Sequence, residues 1–234
     1  MVRNLAIIPA RSGSKRVKDK NIRLFQGRPL MAWAINLALE SGMFDRVYVS
    51  TDSEAYAEVA RSYGAWVPFL RDEYMDDRAS LSYVAFHELV RIERELGVSY
   101  DEVSVLQPTC PLLMVENVRD VYAEFKSRGA DSAITCFPFA HCNPWWAFRR
   151  MPSGRADYVL STAFDTRSQD CEQLYCPTGA FAVAKADVFK TDPDGVMRRC
   201  VFVPIPWENG FDIDTESDFA MAEVLYSMIE GRNA

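Results

Sequence analysis

Apolar positions along the chain fall into two alternating rhythms. Short runs at Leu5 to Ile8, Arg46 to Ser50, Asp101 to Gln107 and Ser132 to Phe137 read as buried strands. Between them, apolar residues recur every three or four positions. Leu30, Trp33, Ala34, Leu37 and Ala38 share one face of a helix predicted over Pro29 to Ser41, with proline in front and Gly42 as its stop. Thr51-Asp52-Ser53 offers N-cap side chains to a second helix, which runs to Tyr63 and is closed by Gly64. Further helices are predicted from about Ser82 to Leu96, Val115 to Ser127 and Ser217 to Ile229. Trp66 to Phe69 reads as a short edge-like strand, and Gly179 to Ala184 and Arg199 to Pro204 complete the set. Strands alternating with helices imply an α/β fold: a mostly parallel (mixed) sheet sandwiched by helices. No repeat or low-complexity linker interrupts residues 1–234, so a single domain is expected.

One stretch breaks the rhythm. Phe139 to Cys176 contains Trp145-Trp146, Arg149-Arg150, a Pro152-Ser-Gly154 turn and strand-like Asp157 to Leu160. So long an excursion in a compact domain points to function or an interface. Exposed aromatics on a projecting arm (139–176) are a liability for a monomer, so the arm is expected to pack on a second copy as a homodimer. Trp145-Trp146 reads as interface core. His141 and Arg149 lie where they could meet a partner's site.

Composition narrows the function classes. Over 234 residues the formal charge is −7, which argues against an extended nucleic-acid surface. No run of 18 apolar residues is present, so no membrane span is expected. Met1-Val-Arg-Asn-Leu5 leads directly into a core strand, so no signal peptide is expected. The six cysteines lack C-x-x-C spacing and the two histidines lack metal-ligand partners, so reduced thiols, a cytoplasmic location and no zinc are expected. His87 sits on an apolar helical face and reads as packed.

The candidate chemistry lies after the first strand and near the C-terminus. From Arg11 to Lys20 there are five cations, Arg11, Lys15, Arg16, Lys18 and Lys20, around Ser12-Gly13-Ser14. Backbone amides and hydroxyls there can donate to phosphate oxygens while the cations neutralise charge. Neither G-x-x-x-x-G-K-[ST] nor G-x-G-x-x-G is present, so this is not a P-loop or a Rossmann fingerprint. In Phe211-Asp-Ile-Asp-Thr-Glu216, Asp212 and Asp214 alternate and can converge on one Mg²⁺ with hard oxygen donors. The other reading of Asp214 is a cap for the following helix.

Ile8-Pro-Ala-Arg-Ser-Gly-Ser-Lys15 followed by Lys20-Asn21 resembles the nucleotide-binding signature of the N-acylneuraminate (sialic acid) cytidylyltransferase family. Asp212-Ile-Asp-Thr-Glu-x-Asp218 is similar to its second signature. Val67-Pro-Phe-Leu-Arg71 resembles a cytidine-site segment, and Leu106-Gln-Pro-Thr-Cys-Pro-Leu112 resembles L-Q-P-T-S-P-L with Cys110 in place of serine. Arg167-Ser-Gln-Asp170 with Tyr175-Cys-Pro-Thr-Gly-Ala180 is similar to R-R-Q-D and Y-x-P-N-G-A, with Ser168 and Thr178 departing on the acceptor-sugar side.

The resemblance covers residues 5 to about 225 and implies a nucleotide-transferase, Rossmann-like fold. It also implies Mg²⁺-dependent coupling of CTP to a nine-carbon, sialic-acid-like 2-keto acid, giving the CMP-sugar and pyrophosphate. Implied catalytic residues are Arg11, Lys15, Lys20 and Asp212, with Asp212 a candidate proton acceptor. Implied nucleotide contacts are Ala10, Arg11, Ser14, Lys15, Asn21, Arg71, Ser80 and Ser82; Asp76-Asp77 reads as a solvated loop. Gln107, Arg167, Gln169 and Tyr175 fall on the sugar side, and Asp212 and Asp214 on the metal. Pro177-Thr-Gly-Ala180 is closer to the neuraminate and legionaminate branch than to the pseudaminate one. Pseudaminate or 3-deoxy-octulosonate enzymes, or a non-catalytic nucleotide-binding protein of this fold, are the alternatives.

Overall fold

The computed structural model describes residues 2–73, 80–140, 143–160 and 166–233. His141 and Asp76-Asp77 lie outside them. Six strands form the main sheet: β1 (Asn4–Pro9), β4 (Arg46–Ser50), β5 (Glu102–Leu106), β6 (Ser132–Pro138), β9 (Tyr175–Lys185) and β10 (Val201–Pro204). Their order is β10-β6-β9-β5-β1-β4. Five strands run parallel. β9 runs against both its neighbours, which makes the sheet mixed as expected.

Period-two alternation assigns the two faces. Ala6 and Ile8 of β1 point to the face covered by α1 (Leu30–Ser41), α2 (Glu54–Ser62) and α4 (Val115–Ser127). Leu5 and Ile7 point to the other, covered by α3 (Leu81–Leu96), α5 (Ala186–Thr191) and α6 (Pro193–Arg198). A third cluster of Phe25, Leu30, Leu112, Ile213, Phe219 and Leu225 seats α7 (Glu216–Asn233).

Three local expectations change. Trp66 to Phe69 forms no strand, only a single parallel bridge from Trp66 to Tyr48, because Pro68 has no N–H for a ladder. α5 and α6 fill the gap between Ala184 and the last strand, where no element was predicted. A two-residue hairpin, β2 (Leu24–Phe25) with β3 (Arg28–Pro29), leads into α1. In the arm, β7 (Phe148–Arg150) and β8 (Ala156–Tyr158) pair as an isolated hairpin. Trp145 Nε1 donates to the Glu172 carbonyl at 2.8 Å, tying the arm to the chain entering β9. No helix among the described residues is long and apolar enough to cross a membrane.

Candidate functional site

The C-terminal ends of β1 and β5 open into a cavity of about 190 Å³, where open α/β sheets place their ligands. Arg11, Ser14, Lys15, Arg16, Lys20 and Asn21 line one side of it. Gln107, Thr109, Asp212 and Asp214 line the other. Two segments about 190 residues apart in sequence are thus brought face to face.

The connection between them is direct. Lys20 Nζ donates to the Ile213 carbonyl at 2.6 Å and lies 3.3 Å from Asp214 Oδ1. Arg16 pairs with the same oxygen at 2.9 Å. Lys20 therefore acts first as a tie between the two loops. Asn21 is buried, and its Nδ2 donates to the Arg11 carbonyl at 3.0 Å, while its Oδ1 has no partner. Asn21, expected as a nucleotide contact, thus also holds the loop. Ala10 sits at the loop's base, with its methyl in the core and its N–H on the Ser50 carbonyl.

The aspartate pair is held by backbone. Ile213 N–H donates to the Thr109 carbonyl at 2.9 Å, anchoring the turn to the end of β5. Asp212 Oδ1 is buried with no hydrogen-bond partner. Burial pushes the Asp212 carboxyl above the ordinary carboxylate value, the Thr109 hydroxyl and Lys20 pull it down, and Asp214 adds to the rise. Asp214 does not cap α7. That role falls to Thr215, whose Oγ1 accepts the Asp218 N–H at 3.2 Å while the Asp218 carboxylate accepts the Thr215 N–H at 2.7 Å, a capping box. Asp214 is thereby left facing the cavity. Among the described residues no cluster of three or more His, Cys, Asp and Glu is arranged for a metal. A cation here would draw on two carboxylates and on ligand oxygens or water, a hard donor set that suits Mg²⁺.

Gln107 also lines the cavity, and its Oε1 accepts the Thr109 hydroxyl at 3.0 Å. Gly179, at φ +71°, passes so close that a Cβ there would lie 2.8 Å from Gln107 Nε2. Thr178 turns into the sheet, its hydroxyl 2.5 Å from that of Thr135 and accepting the Ala180 N–H at 3.1 Å. This departure from the family pattern shapes the strand rather than the cavity. Cys110 is buried in the core beside Asp212, which with burial holds its thiol protonated.

Several expected site residues lie outside the cavity lining. Arg71 is 4 % exposed at the end of a segment whose N–H is held by the Thr51 carbonyl at 2.7 Å, and its Nε and Nη2 have no partner. Burial lowers its affinity for a proton, while Asp52 and Glu88 oppose that. Ser80 is committed to α3, accepting the Tyr83 N–H at 3.2 Å, and the adjacent Leu81 lines the cavity between Ser80 and Ser82. Arg167 and Gln169 face solvent, as does Tyr175 at 48 % exposure. His87 is half-buried between Glu73 and Glu88, 3.4 Å from each, in line with a packed histidine.

Sequence reasoning passed over two contributors. Arg16 was one of five loop cations with nothing to single it out, yet it contacts Asp214. Asp52 looked like capping chemistry for α2, but no side-chain cap bond forms at Ser53 and Asp52 reaches Ser12 instead.

Comparison with known proteins identifies the family and the fold. The family described as Cytidylyltransferase matches residues 5–143. The pseudaminic acid cytidylyltransferase of Campylobacter jejuni subsp. jejuni serotype O:23/36 (strain 81-176) is 34 % identical over 238 residues, covering 97 % of each chain. The CMP-N,N'-diacetyllegionaminic acid synthase of Legionella pneumophila subsp. pneumophila (strain Philadelphia 1) is 32 % identical over 236 residues, again covering 97 % of each. A solved CMP:2-keto-3-deoxy-manno-octonic acid synthetase complexed with CTP shares the fold, with TM-score 0.69 at 16 % identity over 97 % of this chain and 99 % of that one.

Proposed function

The chain belongs to the cytidylyltransferase family, and we propose on that premise that it couples CTP to a nine-carbon 2-keto sugar acid. The observation that carries this is the tie between the cationic loop and the aspartate pair across one cavity. Phosphoryl transfer asks for neutralised oxygens, an in-line nucleophile and a leaving group that can bear charge.

The anomeric hydroxyl of the sugar attacks the α-phosphorus of CTP. The bond to the bridging oxygen breaks, pyrophosphate leaves with the negative charge, and the hydroxyl proton passes to a base, for which partly buried Asp212 is the candidate. Arg11, Lys15 and Lys20 balance the phosphate charge, and Ser14 with Asn21 adds neutral hydrogen bonds and loop shape. Arg71, with two buried donors to satisfy, serves the cytidine end. Mg²⁺ held by Asp212 and Asp214 would supply Lewis acidity and a template for the phosphates, and the unpartnered Asp212 Oδ1 fits it. Gln107 serves the sugar.

Arg167, Gln169 and Tyr175 join the sugar side when the arm packs on a second copy. The arm's exposed apolar surface supports such a homodimer: Phe148 is 56 % and Val159 47 % exposed. Free thiols at Cys110, Cys136, Cys171 and Cys176 fit a reducing cytoplasm.

The test is pyrophosphate release from CTP and Mg²⁺ with pseudaminate, legionaminate, N-acetylneuraminate and 3-deoxy-octulosonate, with mass detection of the CMP-sugar. Release with one nine-carbon acid is expected. Release with 3-deoxy-octulosonate alone would replace the acceptor class, CTP binding with no release would leave a nucleotide-binding protein, and no CTP binding would overturn the reading.

A further inference from the structure

The cationic loop is gripped at both ends by the start of one helix. At its beginning, Ser12 donates twice to Asp52, through its N–H to Oδ1 at 2.7 Å and through its hydroxyl to Oδ2 at 3.2 Å. At its end, the Tyr56 hydroxyl donates to Asp19 Oδ1 at 3.3 Å. Asp19 is held at φ +51°, a left-handed conformation uncommon for a side-chain-bearing residue. Its carbonyl takes the N–H groups of Ile22 and Arg23 at 3.0 Å, which starts the turn that delivers Lys20 and Asn21. Between the two grips lie Lys15, Arg16 and Lys18.

We propose that Asp52 and Tyr56 are positioning residues that pre-form the phosphate-binding loop before nucleotide arrives. The inference rests on the nucleotide reading of that loop. The physical reason is charge and entropy together. Lys15, Arg16 and Lys18 crowd one short stretch, so like-charge repulsion favours open conformations of it even with Arg16 paired to Asp214. Ordering them only when the anion arrives would take the cost out of binding free energy. Pinning Ser12 and Asp19 to a packed helix moves that cost into folding. Tyr56 is buried in the core cluster under α2, so its ring gives the far pin a fixed base. Burial, and then the Asp19 carboxylate, push the Tyr56 phenol up to about 12, so it stays a donor at working pH. The same segment reaches the cytidine side, since the Thr51 carbonyl holds the Arg71 N–H. One stretch, Thr51 to Tyr56, thus sets the spacing between the two ends of the nucleotide site.

The test compares Asp52→Ala, Asp52→Asn and Tyr56→Phe with Lys15→Ala and the parent chain, measuring CTP affinity by calorimetry, KM for CTP and sugar, kcat and the unfolding midpoint. Asp52→Ala is expected to weaken CTP binding about 10- to 50-fold, and Tyr56→Phe about threefold, with the sugar KM within about twofold, because loop ordering is charged to the nucleotide alone. Asp52→Asn retains an acceptor for the Ser12 N–H and should recover most of the affinity. Tyr56→Phe removes one oxygen and keeps the packed ring, so it reports even where the alanine variant fails to fold. Asp52→Ala and Tyr56→Phe binding CTP like the parent, while Lys15→Ala does not, would overturn the positioning role. Equal loss of CTP and sugar KM would reduce it to general structure and overturn it too. Parent-like CTP binding by Lys15→Ala would instead remove the nucleotide reading, and the proposal with it.

Discussion

The two ends of the central sheet treat buried polar groups in opposite ways. At the N-terminal ends of β1 and β5, the Glu102 carboxylate is buried and takes the Tyr122 hydroxyl on one oxygen and Lys126 Nζ on the other. Buried Asn4 beside it donates to the Tyr122 hydroxyl at 2.9 Å and to the Met43 carbonyl at 3.1 Å, and accepts from Ser104 at 3.4 Å. The C-terminal ends look different. Among the described residues, the buried side-chain atoms without a partner belong to Asn21, Ser50, Arg71 and Asp212, all on the loops or strand ends at that side. A buried donor or acceptor left unpaired costs on the order of 1–3 kcal/mol. Its persistence at one end of the sheet is what the proposed nucleotide site requires, since a ligand there would complete the bonding. The closed network holds the fold together, and the open one is available for chemistry.

That contrast can be broken most sharply at Asp212. Asp212→Ala should lower kcat/KM about a thousandfold, because under the proposed function it removes a cation ligand and the proton acceptor together. The unfolding midpoint should stay level or rise, since an unpaired buried oxygen is lost. A stability loss with near-normal turnover would place Asp212 among the structural carboxylates.

Glu102→Ala should show the reverse. It leaves the Tyr122 hydroxyl without its acceptor, and denaturant unfolding should register a loss of about 2–3 kcal/mol. kcat/KM per folded molecule should be unchanged, and a selective effect on turnover would mean the two ends are coupled through β5.

Arg71→Met gives the smallest and most discriminating effect. Removing a buried guanidinium with two unpaired nitrogens should leave stability within about 1 kcal/mol of the parent. CTP affinity should fall about tenfold, the size of one lost charge-assisted bond. Unfolding curves showing a loss of several kcal/mol would put Arg71 with Glu102 instead of with Asp212.

Much of the fold was legible from local pattern. Strands such as Glu102–Leu106 and helices such as Val115–Ser127 were predicted to within a residue or two, because burial on one or both faces imposes a period that survives in any context. Elements that depend on tertiary contact were not. Trp66 to Phe69 has strand composition but meets a neighbour at only one residue, and the short helices Ala186–Thr191 and Pro193–Arg198 form where the chain must turn back after the antiparallel β9. The site divides the same way. The basic loop and the paired aspartates stood out by residue type, and the structure brings both to one cavity.

By itself, the sequence determined the alternating α/β layers and the residue types that face the cavity, since local pattern carries these directly, and its motifs carried the resemblance to the family. Only the tertiary structure decided which polar groups are already spent. Lys20 bridges two loops, Thr178 faces the sheet, Thr215 with Asp218 relieves Asp214 of capping, and Asp52 with Tyr56 grips the loop across a gap of about 40 residues. Hydrogen-bond partnership is a matter of distance and direction between segments remote in the chain, and no local pattern encodes it.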